Sequence, residues 1–429
     1  MAKSPRVGRA VPRLTAALLA AAGALAAANA DLILYNGKIV TVDPKFSIVE
    51  AVAVKGNKIT KLGDTQAVFS TERGPRTRRI DLKGRTVLPG LVDSHVHPIG
   101  AGLSEFRQPL PPLDSFAAVQ AFIRERAKST PPGQWIVVPR TFPTRLKELR
   151  MPTRETLDVT DHPVMFDASY TVVVNSAALN LSGITRATPH PPNGEIVKDA
   201  AGEPNGILKN AQSLLKGLDR SEGFSESERL EALEKMLRRY VDAGLTGISD
   251  RAVSLADIAL YEKLKAAGRL PIRAVLTWRI DASRPVDDLI RQLRTAPFAT
   301  GRGDAWLKFG ALKVTLDGGM TIGTAYQRQP YGPFGRQLYG HTDPKDRGQL
   351  FIAAEKLSRL VRFAHSRGWQ LTAHDQGGGA IDAFLDALEA ANADRPIADS
   401  RSHLMHARDR KSTRLNSSHI QKSRMPSSA

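Results

Sequence analysis

From residue 225 to residue 406 the chain alternates short apolar runs with amphipathic stretches, and few folds accommodate that rhythm. Strand-like runs fall at Leu245 to Ser249, Ile272 to Trp278, Leu307 to Leu316, Gln370 to Ala373 and His403 to Met405. Helical patterns begin between them, near Ser254, Val286, Gln349 and Gly379. A further helix opens at Ser225-x-x-Glu228, a spacing at which each side chain can cap the other residue's backbone N–H. Its apolar positions include Leu230, Leu233, Leu237 and Val241, and Gly244 ends it. Strands that alternate with helices read as a parallel sheet, because parallel neighbours need a long crossover between them.

Upstream, residues 85–98 read Arg-Thr-Val-Leu-Pro-Gly-Leu-Val-Asp-Ser-His-Val-His-Pro. On a strand, His95 and His97 share one face about 6.6–6.8 Å apart, within reach of a single metal. Val96 points the other way, into packing. Pro98 offers no N–H to a ladder and ends the strand, which sets the histidine pair at its C-terminal end. That end carries the chemistry in α/β barrels. A bare His-x-His is equally at home as packing or surface, so its specificity comes from the flanking residues.

Residues 31–87 read as short strands joined by tight turns. Leu32 to Tyr35 runs into Asn36-Gly37 and then Ile39 to Val42, the pattern of a hairpin. Ala51 to Val54 and Lys58 to Leu62 form a second pair around Gly56-Asn57. Residues 105–240 break the βα rhythm: an amphipathic helix is expected near 115–129, a strand at Trp135 to Val138, and loops from 180 to 205.

With 429 residues the chain can bury a large core, and with no cysteine any metal must be held by His, Asp, Glu or Lys. Lys3, Arg6, Arg9 and Arg13 precede an apolar stretch, Leu14 to Ala26, and the small residues Ala28-Asn29-Ala30. Residues 1–30 therefore read as a secretory signal, and the mature protein is expected in the periplasm or outside the cell with no stable membrane anchor. Of the formal charge of +18, residues 1–30 hold +4 and residues 408–429 hold +5, which leaves +9 spread over helices that also carry acids. Such mixed faces are solvated surface, and no basic stripe is interleaved with aromatics, so a nucleic-acid partner is not expected.

The segment Pro-Gly-Leu-Val-Asp-x-His-x-His-Pro closely resembles the first barrel strand of the amidohydrolase superfamily. Residues 163–179 and Gly202 to Leu208 resemble the long insertion of its family-3 branch, which includes N-substituted formamide deformylase-like proteins. The resemblance implies an α/β fold: a TIM-type (β/α)8 barrel, incomplete here, with a small N-terminal β-sandwich domain and a long insertion after the first barrel strand. By domain, it implies a signal peptide at 1–30, the β-sandwich at 31–87 and the barrel at 88–407, with the insertion at about 105–240.

Gly310 to Gly319 resembles the fourth-strand segment whose lysine is carbamylated, here Lys313. A lysine desolvated beside cations loses basicity, and its neutral amine can add CO2. Leu371 to Asp382 resembles the fifth strand and its glycine-rich turn, with His374 as ligand. His403 to Ala407 resembles the sixth strand. His403 and His406 fall on opposite faces of a strand, and the family's His-Ala ending selects His406. The implied metal ligands are thus His95, His97, Lys313, His374 and His406, holding two divalent metal ions, zinc by the His-rich donor set. Tyr170 stands where relatives often carry histidine, and Tyr170 and Asp317 are the expected substrate contacts. His162, His190, His341 and His365 read as structural.

The superfamily's general base, an aspartate ending the eighth strand, has no counterpart in this chain. After Ala407 apolar periodicity stops, and Lys411 to His419 looks like translated adapter sequence. The expectation is that the native gene continues past about residue 407 and that the chain as it stands is inactive. The implied activity is hydrolysis of a non-peptide C–N bond in a small amide-type substrate. Hydrolysis of a lactone, phosphoester or ring amine on the same metals remains open, as does a non-catalytic exported binding protein.

Overall fold

The computed structural model describes residues 29–106, 109–218 and 223–407. Most of the expected signal segment and the whole basic tail lie outside the described residues. No helix among the described residues is long and apolar enough to cross a membrane. The chain divides after Gly90 into two units.

The first unit holds β1 (Leu32–Tyr35), β2 (Lys38–Val40), β3 (Ile48–Val49), β4 (Ala51–Lys55), β5 (Lys58–Gly63), β6 (Arg78–Asp81) and β7 (Thr86–Val87). They form two sheets, β5-β4-β1-β6 and β3-β2-β7. The expected β4–β5 hairpin is present, with Gly56 supplying the positive φ of its turn. The expected hairpin at Asn36-Gly37 is not. β1 pairs with β4 and β6, whereas β2 pairs with β3 and β7, so the turn carries the chain from one sheet to the other. Asn36 adopts a φ of 55° and its amide donates to Asp81 at 2.8 Å. Long-range pairing with β4 and β6 outweighs the local turn preference. Ile33, Ala51, Ala53 and Val68 form this unit's core.

The second unit is built on β8 (Leu91–Val96) and, after an insertion, on five further parallel strands. The insertion contains β9 (Ile136–Val138), β10 (Val164–Ala168), β11 (Thr171–Val174), β12 (Glu195–Lys198) and β13 (Pro204–Lys209), ordered β12-β13-β11-β10-β9. β12 lies inside the stretch expected to be loops; its outward Glu195 and Lys198 dilute the apolar signal. Alternate residues serve two faces: Phe166, Val173 and Ile207 pack with the helix Phe116–Ala127, while Val172, Val174, Ile196 and Leu208 pack with Leu179.

The remaining strands are β14 (Leu245–Val253), β15 (Arg273–Arg279), β16 (Leu307–Thr315), β17 (Leu371–Asp375) and β18 (His403–His406). The sheet runs β8-β14-β15-β16-β17-β18 with every neighbour parallel. Helices fall between successive strands, including Leu255–Ala266, Val286–Thr295, Ala354–Ser366 and Gly378–Asp394. The capping box Ser225/Glu228 forms as the spacing predicts. Outward side chains such as Ile248, Leu276, Trp278, Leu312 and Val314 bury against helix residues Leu233, Tyr261, Leu289 and Leu360.

Five inter-strand steps would separate the edges of a flat sheet by about 24 Å. Yet the rings of His95 on β8 and His406 on β18 stand 4.8 Å apart. The sheet is therefore strongly curled, an incomplete (β/α) barrel with its strand C-termini gathered at one mouth. One helix start differs from expectation. The helix placed near Gln349 begins at Ala354, because Leu350 bridges to Asp317 and the Phe351 N–H donates to Leu316 O at 2.7 Å.

Candidate metal centre

The site grows from strand ends. β8 delivers His95, and His97 follows as the N-cap of the helix Pro98–Ser104, with Pro98 at its first turn where a missing N–H costs nothing. Their rings lie 5.2 Å apart, nearly perpendicular. β17 delivers His374, and β18 ends at His406. The rings run on from His97 to His95, to His406 and to His374, with centroid separations of 5.2, 4.8 and 4.5 Å. Lys313 stands inward on β16, 3% exposed.

On β18, strand alternation does not put His403 and His406 on opposite faces. His403, read as packing, is also inward: its Nε2 lies 3.2 Å from Arg251 Nη1. Leu404 packs outward against Ile381 and Leu385. By alternation His406 would then face outward as well, but its φ of 76° is left-handed and turns the ring back to the mouth. Both histidines thus line the interior, at different depths.

Tyr170, from the loop between β10 and β11, sets its ring 5.6 Å from His374 and 5.4 Å from Phe351. The insertion therefore reaches the mouth. Asp317 is placed otherwise than expected for a substrate contact. It is fully buried, and its oxygens accept the N–H groups of Gln376 (3.0 Å), Gly377 (2.8 Å) and Tyr326 (3.0 Å). It clamps the loops after β16 and β17 together. His374 Nε2 lies 3.0 Å from the Gly318 carbonyl, so this clamp also positions the imidazole.

Three buried or inward groups escaped the sequence reading. Asp250 on β14 lies 3.6 Å from His97 Nδ1 and accepts the Tyr261 hydroxyl at 3.0 Å. Arg251 crosses the interior, donating to Ser94 O at 2.8 Å. Asp375 accepts the Met405 N–H at 3.0 Å through one oxygen, while its other oxygen is buried without a partner. Asp250 could have been found as an acid following the apolar Leu245 to Ser249; Arg251 and Asp375 carry no local signal. His162, His190, His341 and His365 stay out of the ring cluster, each engaged elsewhere.

Electrostatics favour uncharged nitrogen donors. Burial, with help from Lys313, His406 and His97, pushes His95 down to about 3, and burial takes His374 down to about 3. Burial and then Arg279 and Arg251 lower Lys313 to about 8. Burial drives Asp375 well above the carboxylate range, and Asp317 rises to about 7 despite its three N–H donors. Neutral imidazoles keep a lone pair for a cation, so the donor chemistry fits a metal. The rings stand edge to face, however, and among the described residues no three His, Asp or Glu groups are arranged to hold a metal ion.

Comparison with known proteins gives the lineage. The amidohydrolase family matches residues 78–417. The chain is 30% identical over 386 residues to the N-substituted formamide deformylase of Arthrobacter pascens, covering 88% of this chain and 69% of that protein. It is 30% identical over 365 residues to the putative amidohydrolase YtcJ of Bacillus subtilis, covering 83% and 65%. The chain thus spans about two thirds of the length of these relatives. In fold it is similar to uncharacterized metal-dependent hydrolases from Pyrococcus furiosus (21% identity, 87% of this chain and 76% of that one, TM-score 0.55) and Pyrococcus horikoshii (21%, 87% and 74%, 0.57). With its His-x-His strand, its curled parallel sheet and a match across most of its length, the chain belongs to the amidohydrolase family.

Proposed function

We propose that this chain carries the site of a metal-dependent hydrolase that cleaves a non-peptide C–N bond of the amide or N-formyl type. One observation carries the reading: four strand-end imidazoles meet in series at the barrel mouth beside a buried lysine. The similarity to a formamide deformylase supports the bond type. His95 and His97 would hold one divalent cation, His374 and His406 a second, and carbamylated Lys313 would serve both. Zinc suits an imidazole-rich set without thiolates. Bound there, such cations lower the pKa of water and polarise a carbonyl.

The chain's own residues prepare that chemistry. The low basicity of His95 and His374 keeps their lone pairs available at neutral pH. With Lys313 lowered to about 8, a useful fraction of its amine is neutral near pH 7. That amine can attack the carbon of CO2, lose a proton and become a carbamate. Tyr170 and Phe351 wall the mouth beside His374 and limit water there. No general base is assigned among the described residues. The basic and then apolar start of the chain supports export to the periplasm as part of the same proposal.

The test is metal content and turnover together. Protein expressed from the full-length gene should hold close to two equivalents of zinc and release formate from an N-substituted formamide, and a chelator should stop that release. Metal-replete protein that hydrolyses neither N-formyl nor N-acyl amines would refute the bond type. Protein that takes up no metal would refute the whole reading.

A further inference from the structure

We propose that Arg279 is an anion anchor at the barrel mouth, selecting amide substrates that carry a carboxylate beside the scissile bond. This rests on the hydrolase reading above and names its substrate class. Arg279 ends β15, and its Cα partner on β16 is Lys313, so the two side chains leave the sheet on the same face. The preceding Trp278 points the opposite way, buried against Phe298 and Trp369 in the helix-side core. Alternation therefore turns Arg279 into the mouth, beside the lysine.

Its guanidinium is exposed and forms no hydrogen bond or ion pair with the described residues. An unpaired arginine on an outer surface is ordinary, since water solvates it. This one stands on the concave face, one strand from Lys313, and its charge acts on both Lys313 and Tyr170. Four acids have partners of their own. Asp167 pairs with Arg140 at 3.0 Å and accepts the Ser169 N–H. Asp281 accepts the N–H and hydroxyl of Ser283. Asp317 is fully buried under three N–H donors. Asp250 takes the Tyr261 hydroxyl. Arg279 thus offers a planar five-donor fork with no ion-pair partner among the described residues, the geometry that matches a carboxylate in two parallel hydrogen bonds. The Tyr170 ring flanks the same space, packed between Phe351 and His374. A substrate such as an N-acyl amino acid would set its carboxylate on Arg279 and its amide toward the imidazoles.

The experiment compares N-formylalanine with N-formylalaninamide in the wild-type protein and in Arg279→Met and Arg279→Lys. The expected result is a kcat/KM at least ten-fold higher for the carboxylate in the wild type. Arg279→Met should raise KM for N-formylalanine by ten- to hundred-fold relative to its amide, while any change in kcat that arises through the neighbouring Lys313 is shared by both compounds. Arg279→Lys should recover part of the preference. Equal kcat/KM for the two compounds in the wild type overturns the inference, as does an Arg279→Met variant that keeps the full preference for N-formylalanine. If neither compound turns over, calorimetric binding decides separately. Binding of N-formylalanine over its amide, lost in Arg279→Met, keeps the anchor while the hydrolase reading fails. No preference in binding removes the anchor too.

Discussion

At the scale of single residues, the site depends on side chains whose direction is set by a few backbone choices. His406 reaches its neighbours only because its own φ is left-handed. His406→Ala should remove about one equivalent of zinc and cut kcat by more than the 10–100-fold typical of losing a supporting group around a metal. Metal analysis and single-substrate kinetics read this directly, and full zinc retention would exclude His406 as a ligand. Asp317 makes a different prediction. Replacing it by Asn turns one acceptor oxygen into an amide NH2, a donor that faces backbone N–H groups. Asp317→Asn should therefore lose about 1–3 kcal/mol of stability per unmade bond, measured by denaturant unfolding. It should also weaken activity through the displaced His374, whose Nε2 sits on the adjoining Gly318 carbonyl.

At the scale of elements, the barrel helices stand on ordinary apolar packing. Leu360, wholly buried in the helix Ala354–Ser366, packs in the core beneath the sheet. Leu360→Ala should cost about 2–5 kcal/mol in chemical unfolding, with metal content per folded molecule unchanged. Elements with strong local chemistry were legible in the sequence: the Ser225/Glu228 cap, the Ser254 helix start, the apolar runs of β14 to β17, and the strand ended by Pro98. What was illegible depended on distant partners. Asn36-Gly37 has hairpin chemistry, yet β1 and β2 find better partners in separate sheets. Residues 349–352 look like a helix start, yet they are held extended against Leu316 and Asp317. The clustering of His95, His97, His374 and His406 was legible because each closes a strand-like run, whereas the inward side of His403 was not, because parity fails at the left-handed His406. Arg279 went unseen because nothing in its local sequence tells an inward arginine from a solvated one.

At the scale of the whole molecule, the candidate ligands belong to four of the six barrel strands, β8, β16, β17 and β18. A cation held there would brace the sheet across its curl as well as perform chemistry. Zinc at a hundred times its dissociation constant should raise stability by about 2.7 kcal/mol. A thermal melt with and without zinc measures this, and a His95→Ala, His374→Ala double variant should show no shift. The meeting of His95 with His406 has a further consequence for biogenesis. These two rings come from near the start and the end of the second unit, so a nascent chain leaving the ribosome holds four of the five candidate ligands before β18 emerges. Under the proposed ligand set the site of the second cation closes only with His406, so a pulse-labelled chain should acquire its last zinc after β18 is made.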